Sequence, residues 1–141
     1  MQASLRLRPF AAEDAEQVVE LLQDVSVYRP DSAKVFELGR IFAEQKDSYA
    51  CVAAHDGRLV GFGSLFVLNR IRGGRSAIIE DMVVAADMRG QGIGRLVLEN
   101  LIGQAQKMAC FKVTLESSEM AREFYRAAGF EIGGHVMKCR L

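Results

Sequence analysis

ADMRGQGIGRLVLENL, residues 86–101, runs a glycine-rich turn into the first turns of an amphipathic helix, and its flanks decide the fold. Upstream, AIIEDMVV (77–84) has the β-branched content and length of a strand. Downstream, Leu98, Leu101, Ile102, Ala105 and Ala109 recur at helical spacing, with Arg95, Glu99, Gln106 and Lys107 at polar positions. This pattern predicts a long helix over 92–108 with one face on a sheet. A strand, a glycine turn and a helix start together make an anion-binding arrangement. Glycine lets the backbone approach a ligand, and the first helical turn presents unpaired N–H groups and the positive end of the dipole. A diphosphate fits there, with Arg89 and Arg95 as charge partners.

Spacing separates this loop from other phosphate binders. A dinucleotide fingerprint built on Gly90 and Gly92 would need a third glycine where Arg95 stands, and no Gly-Lys-Ser/Thr of a Walker loop occurs. Composition narrows the reading further. The 141 residues are half apolar, which suits one domain spanning 1–141, and 18 basic residues balance 18 acidic ones. Zero formal net charge gives no broad positive field for nucleic acid or an anionic membrane, so phosphate must be held locally. No apolar run approaches the roughly 20 residues that span a bilayer, and MQASLRLRPF lacks a secretory core, so a cytoplasmic protein is expected. Cys51, Cys110 and Cys139 are odd in number and widely spaced, fit neither a disulfide framework nor a metal site, and are expected to be small buried hydrophobes.

Leu5 and Leu7 alternate with arginines as in a strand, and helical spacing follows over 13–24 and 33–45, interrupted by YRPDS at 28–32. The β-rich runs 49–54 and 59–68 flank His55-Asp56-Gly57-Arg58, where Asp-Gly marks a hairpin. The basic loop NRIRGGRS (69–76) leads into the 77–84 strand. After the long helix come a strand at 111–116, a helix at 119–128 closed by Gly129, and a last strand at 136–141.

With this order in view, R-x-x-G-x-G between strand and helix resembles the pyrophosphate loop of the GNAT superfamily of N-acetyltransferases. The resemblance covers nearly the whole chain. It implies an α/β (α+β) fold with a mixed, mostly antiparallel sheet of six to seven strands splayed at the fourth, flanked by about four helices. Acetyl-CoA would lie in the V-shaped opening as cosubstrate, without a metal. Within the superfamily, IEDMVV, RGQGIG, KVTLE and EFYRAAGF followed by MKCRL resemble the glucosamine 6-phosphate N-acetyltransferases. That resemblance implies a homodimer and direct acetyl transfer to the amine of a small molecule. The same scaffold hosts other acceptors, such as aminoalkylphosphonates and polyamines, and a non-catalytic acyl-CoA sensor is the alternative from another class.

Direct transfer needs a neutral amine, hence a base nearby. Glu80 and Asp81 are adjacent, and on a regular strand adjacent side chains face opposite sides, so one of them should serve. The resemblance favours Glu80 as the base, with Asp81 second, and gives the backbone of Met82, Val83 and Val84 to the amine and the pantetheine arm. It assigns Arg89, Gly90, Gln91, Gly92, Ile93, Gly94 and Arg95 to the pyrophosphate, and Tyr125 to the departing thiolate, with Phe124 packing. Glu116 matches an acidic substrate position contributed across the dimer interface. Arg140, with Lys138, Arg70, Arg72 and Arg75, is a candidate for a sugar phosphate, although each alone also suits a solvated surface charge. Ala121 stands where many relatives carry an asparagine that helps hold coenzyme A; Ser117, Ser118 and Arg122 are candidate substitutes. His55 and His135 read as structural or exposed.

Overall fold

The computed structural model describes residues 4–141. β1 (Leu5–Pro9), β2 (Ser48–His55), β3 (Arg58–Asn69), β4 (Arg75–Val84) and β5 (Cys110–Leu115) form one sheet in sequence order. The first four strands pair antiparallel, and β5 joins β4 in parallel. Asp56 and Gly57, with φ of 51° and 78°, make the tight turn between β2 and β3 that Asp-Gly announces. A parallel pair needs a crossover, and α3 (Ile93–Lys107) supplies it between β4 and β5. The remaining helices are α1 (Ala15–Leu22), α2 (Val35–Ala43) and α4 (Arg122–Ala127), so the expected four are present.

Two apolar layers cover the sheet. Val97, Leu98 and Leu101 of α3 bury themselves against Cys51, Leu65, Ala77 and Ile79 on one face. On the other, Val18 of α1 joins Val52, Phe62 and Val83, with Phe10 and Phe42 packed edge-on at 5.3 Å between ring centroids. The hydrophobic periodicities of sheet and helices agree, which is why the element order could be read from sequence.

Three expectations are corrected. Among the described residues the sheet has five strands, not six or seven, because 130–141 forms no ladder within the chain. Val136 and Met137 of this tail are 60% and 92% exposed, so an apolar pattern is there without a neighbouring strand to complete it. Of the cysteines only Cys51 is buried; Cys110 is half-buried and Cys139 exposed.

The feature that shapes the site is a β-bulge. Phe62 pairs with Val83 and Ser64 with Glu80, so Gly63 alone opposes Asp81 and Met82. Asp81 takes φ of 57°, the left-handed region that aspartate tolerates better than most residues. The bulge shifts the side-chain phase: Ala77 and Ile79 face α3 before it, Met82 and Val84 after it. The parallel pairing with β5 ends at Ile79–Leu115, and β4 continues to Val84 paired on its β3 side only, which is the expected splay.

Two glycines test the packing. A Cβ on Gly39 of α2 would lie 2.6 Å from the Ala15 Cβ and 2.8 Å from the Ala12 carbonyl oxygen, whereas one on Gly103 of α3 meets nothing within 4 Å. Gly39→Ala is expected to destabilise by about 1–3 kcal/mol through overpacking. Gly103→Ala should stabilise by about 0.5–1 kcal/mol through helix propensity. Urea denaturation midpoints measure both, and equal shifts would contradict the packing described.

Candidate active site

The end of β4, the start of α3, α4 and Val25 in the α1–α2 connection enclose a cleft of about 620 Å³. All of the expected cofactor residues line it except Gln91: Met82, Val83, Val84, Arg89, Gly90, Gly92, Ile93, Gly94 and Arg95. Gly90 and Gly92 have φ of 80° and 84°, and a Cβ on either would meet no protein atom within 4 Å. Their backbone conformation therefore requires glycine, while the space before them is left open. Gly92, which has no side chain to cap α3, stands at the helix start beside this space, where the first helical turn offers backbone N–H groups. These residues fit a diphosphate, which would be held by backbone donors, as the sequence expects.

The two arginines are less free than expected. Arg89 donates from Nε to the Val84 carbonyl at 3.1 Å and from Nη2 to the Asp24 carboxylate at 3.1 Å. Arg95 donates from Nε to Glu99 one turn along its own helix at 3.0 Å. Asp24, read from sequence as the end of a helix, and Val25 lie instead in the connection after α1, which only the tertiary fold brings to the loop. Phe124, expected only to pack, also lines the cleft, as do Met88, Ala121 and Ala127.

At the inner end, pairing with Ser64 puts Glu80 on the α1/α2 face, the side of Phe62 and Phe66. Leu115 packs toward α3, so by alternation Glu116 shares the Glu80 face where β4 and β5 part. Lost hydration raises the Glu80 pKa above its ordinary value, and the negative charges of Asp81 and Glu116 raise it further. The Asp81 pKa is also raised by lost hydration. Both residues are exposed by area, yet the walls of the notch displace part of the water around them. Among the described residues neither carboxylate has a hydrogen-bond or ion-pair partner. The expectation that Glu80 and Asp81 face strictly opposite sides is corrected: the bulge suspends alternation at Asp81, and the two charges interact.

Tyr125 faces the α3 side, half-buried between Phe124 at 5.0 Å and Phe130 at 5.7 Å, and burial raises its phenol pKa. It therefore stays protonated, a donor, at neutral pH. The distal candidates separate. Glu116 is ion-paired to Lys138 of the tail at 3.1 Å. Arg140 is exposed and does not line the cleft. Arg70, Arg72 and Arg75 cluster at the other end of β4, with Arg75 about 20 Å along the strand from Asp81 at ~3.3 Å per residue. Arg75 pairs with Asp47 at 3.0 Å and Arg70 donates to the Ser76 hydroxyl at 2.9 Å. His55 lies beside Asp56 at the hairpin, and His135 is exposed.

Gly92→Val combines backbone strain with an obstruction of the open space. Coenzyme A affinity is expected to fall by about tenfold or more, the loss of one or two charge-assisted hydrogen bonds. Calorimetric titration of a folded variant checks this, and unchanged affinity would remove the loop from the site.

Comparison with known proteins agrees with this geometry. Residues 15–130 match the acetyltransferase (GNAT) family. A glucosamine 6-phosphate N-acetyltransferase of Trypanosoma brucei brucei is 39% identical over 87 residues, covering 60% of this chain and 58% of that protein. A probable glucosamine 6-phosphate N-acetyltransferase 2 of Oryza sativa subsp. japonica is 31% identical, covering 90% of this chain and 82% of its own. The crystal structure of a Trypanosoma brucei acetyltransferase superposes with a TM-score of 0.88 at 29% identity, covering 97% of this chain and 99% of that one. With strand, bulge, glycine loop and helix in their places and the family match spanning most of its length, the chain belongs to the acetyltransferase (GNAT) family, as an acetyl-CoA-dependent N-acetyltransferase.

Proposed function

We propose that this protein acetylates the primary amine of glucosamine 6-phosphate by direct attack in a ternary complex, with Glu80 as the general base. One observation carries the reading: the unpartnered Glu80 carboxylate faces one side of the splayed strand and the Tyr125 phenol the other. Bound acetyl-CoA would supply the thioester. An amine entering on the Glu80 side then meets an acceptor for its proton before it attacks. The raised pKa strengthens Glu80 as a base. Asp81 and Met82, outside the β3 ladder, leave backbone groups available to the acyl and pantetheine portions. Tyr125 donates toward the sulfur as charge develops on it. The unpartnered carboxylates of Glu80 and Asp81 favour a cationic amine, and the relatives' names supply the amino-sugar phosphate.

Glu80→Gln is expected to lower turnover by about a hundredfold or more, with partial recovery as pH rises and more amine is neutral. In the wild type the rate should fall as pH drops through the raised Glu80 pKa. Asp81→Asn suits the left-handed backbone and removes the charge that raises Glu80, so it should move this acidic limb to lower pH. Rates from pH 4 to 10, read as thiol release over a panel of glucosamine 6-phosphate, glucosamine and aminoalkylphosphonates, supply the test. Wild-type turnover and profile in Glu80→Gln would refute the assignment, and a loss confined to Asp81→Asn would transfer it. Coenzyme A binding without release by any amine would favour the non-catalytic sensor, which the apolar Ala121 in the cleft wall motivates.

The same reading includes a homodimer in the cytoplasm, the three thiols being free. β5 is an edge strand, and the tail beyond residue 130 has exposed apolar side chains and no strand partner, so a second copy can complete both. Light scattering over a dilution series should show a dimer; a fully active monomer at working concentration would overturn it.

A further inference from the structure

The Arg89 guanidinium spans three parts of the cleft. Its Nε is anchored on the carbonyl of Val84, the last residue of β4, and its Nη2 holds Asp24, just past the end of α1. Val25, the next residue, lines the cleft together with Arg89 and the glycine turn. A carboxylate thus lies beside the place where backbone donors await a diphosphate, and it uses the charge that sequence assigns to that phosphate. Arg95 differs: its partner Glu99 lies on its own helix, so that pair joins no separate elements.

We propose that Asp24 is a competing anion at the cofactor site, a stand-in that holds Arg89 at the rim of the cleft and yields it to the diphosphate. The proposal rests on residues 89–94 being the diphosphate loop. Magnitudes favour the exchange. The side chains of Arg89 and Asp24 are 54% and 48% exposed, and an ion pair so hydrated is worth no more than about 1 kcal/mol. A diphosphate offers more charge and several acceptor oxygens, to which guanidinium binds as a fork. The Nε bond to Val84 keeps the base of the fork in place, so only the Nη end has to change partner. Until then the pair neutralises a cation at the cleft mouth and ties the α1–α2 connection to the loop. Asp24 thereby opposes phosphate binding, and part of coenzyme A's binding energy goes into displacing it.

The test is calorimetric titration of coenzyme A into wild type, Asp24→Asn, Asp24→Glu and Arg89→Gln. Pantetheine, which lacks the phosphates, is measured in parallel by displacement. Asp24→Asn should bind coenzyme A about two- to fivefold more tightly at low salt, the gain fading near 0.5 M salt as charges are screened. Pantetheine should show no gain, and Asp24→Glu, which keeps the charge, should lie nearer wild type. Adding Arg89→Gln to Asp24→Asn should abolish the gain. Unchanged or weaker coenzyme A binding in folded Asp24→Asn, or an equal gain for pantetheine, overturns the proposal. Gly92→Val separates the two readings: if it weakens binding while Asp24→Asn has no effect, only the exchange fails, and if it has no effect, the diphosphate loop fails as well.

Discussion

Two residues of β4, Asp81 and Met82, stand opposite one residue of β3, Gly63, and the active cleft depends on that unequal count. Room for it comes from the missing side chain: a Cβ on Gly63 would lie 2.7 Å from the Met82 sulfur and 2.8 Å from the Leu101 Cδ1. With Gly63 bare, Met82 turns toward α3 and Asp81 enters a left-handed conformation. The strand bends where bulges bend strands, and the parallel partner, fed in by α3, leaves after Leu115. An open notch results between β4 and β5.

Electrostatics in the notch work against folding. Glu80 and Asp81 have raised folded pKa values, so the native state binds protons more tightly than the unfolded chain. Stability contributed by these groups is present when they are protonated, below the ordinary carboxylate range, and is lost as pH rises through their folded pKa values. Elsewhere the sign is opposite. Asp14, hydrogen-bonded by Arg8 and by the Ala11 N–H, has a lowered pKa and supports the fold above the carboxylate range, losing that support as pH falls. Asp14 is thus a well-satisfied charge in the scaffold, whereas Glu80 and Asp81 are unpartnered charges in the notch.

Much of this was legible in the sequence, because it was written in local pattern. Asp56-Gly57 announced its hairpin, the spacing of Leu98, Leu101 and Ala105 announced α3, and Gly90 and Gly92 announced a backbone open to anions. What stayed hidden depends on partners distant in sequence. Nothing local distinguishes the Asp81 of a bulge from an aspartate on a regular strand, so strict alternation was the natural and mistaken inference. Arg89 looked free because Asp24, 65 positions away, meets it only in the folded chain. Residues 136–141 have a strand's composition, but a strand requires a neighbour, and the described residues provide none. The acceptor belongs to the same class, since it is set by side chains gathered from separate elements and not by any single motif.

The phase shift at Asp81 also bears on how such a scaffold diversifies. Residues up to Glu80 alternate in one phase and residues from Met82 onward in the other, so β4 behaves as two short strands joined by a hinge of fixed geometry. The first segment carries the acid that would greet the acceptor; the second lines the cleft wall that acetyl-CoA would occupy. Substitutions in one segment leave the facing pattern of the other undisturbed. A lineage of such proteins is therefore free to exchange one amine for another while inheriting the acetyl donor's berth unchanged.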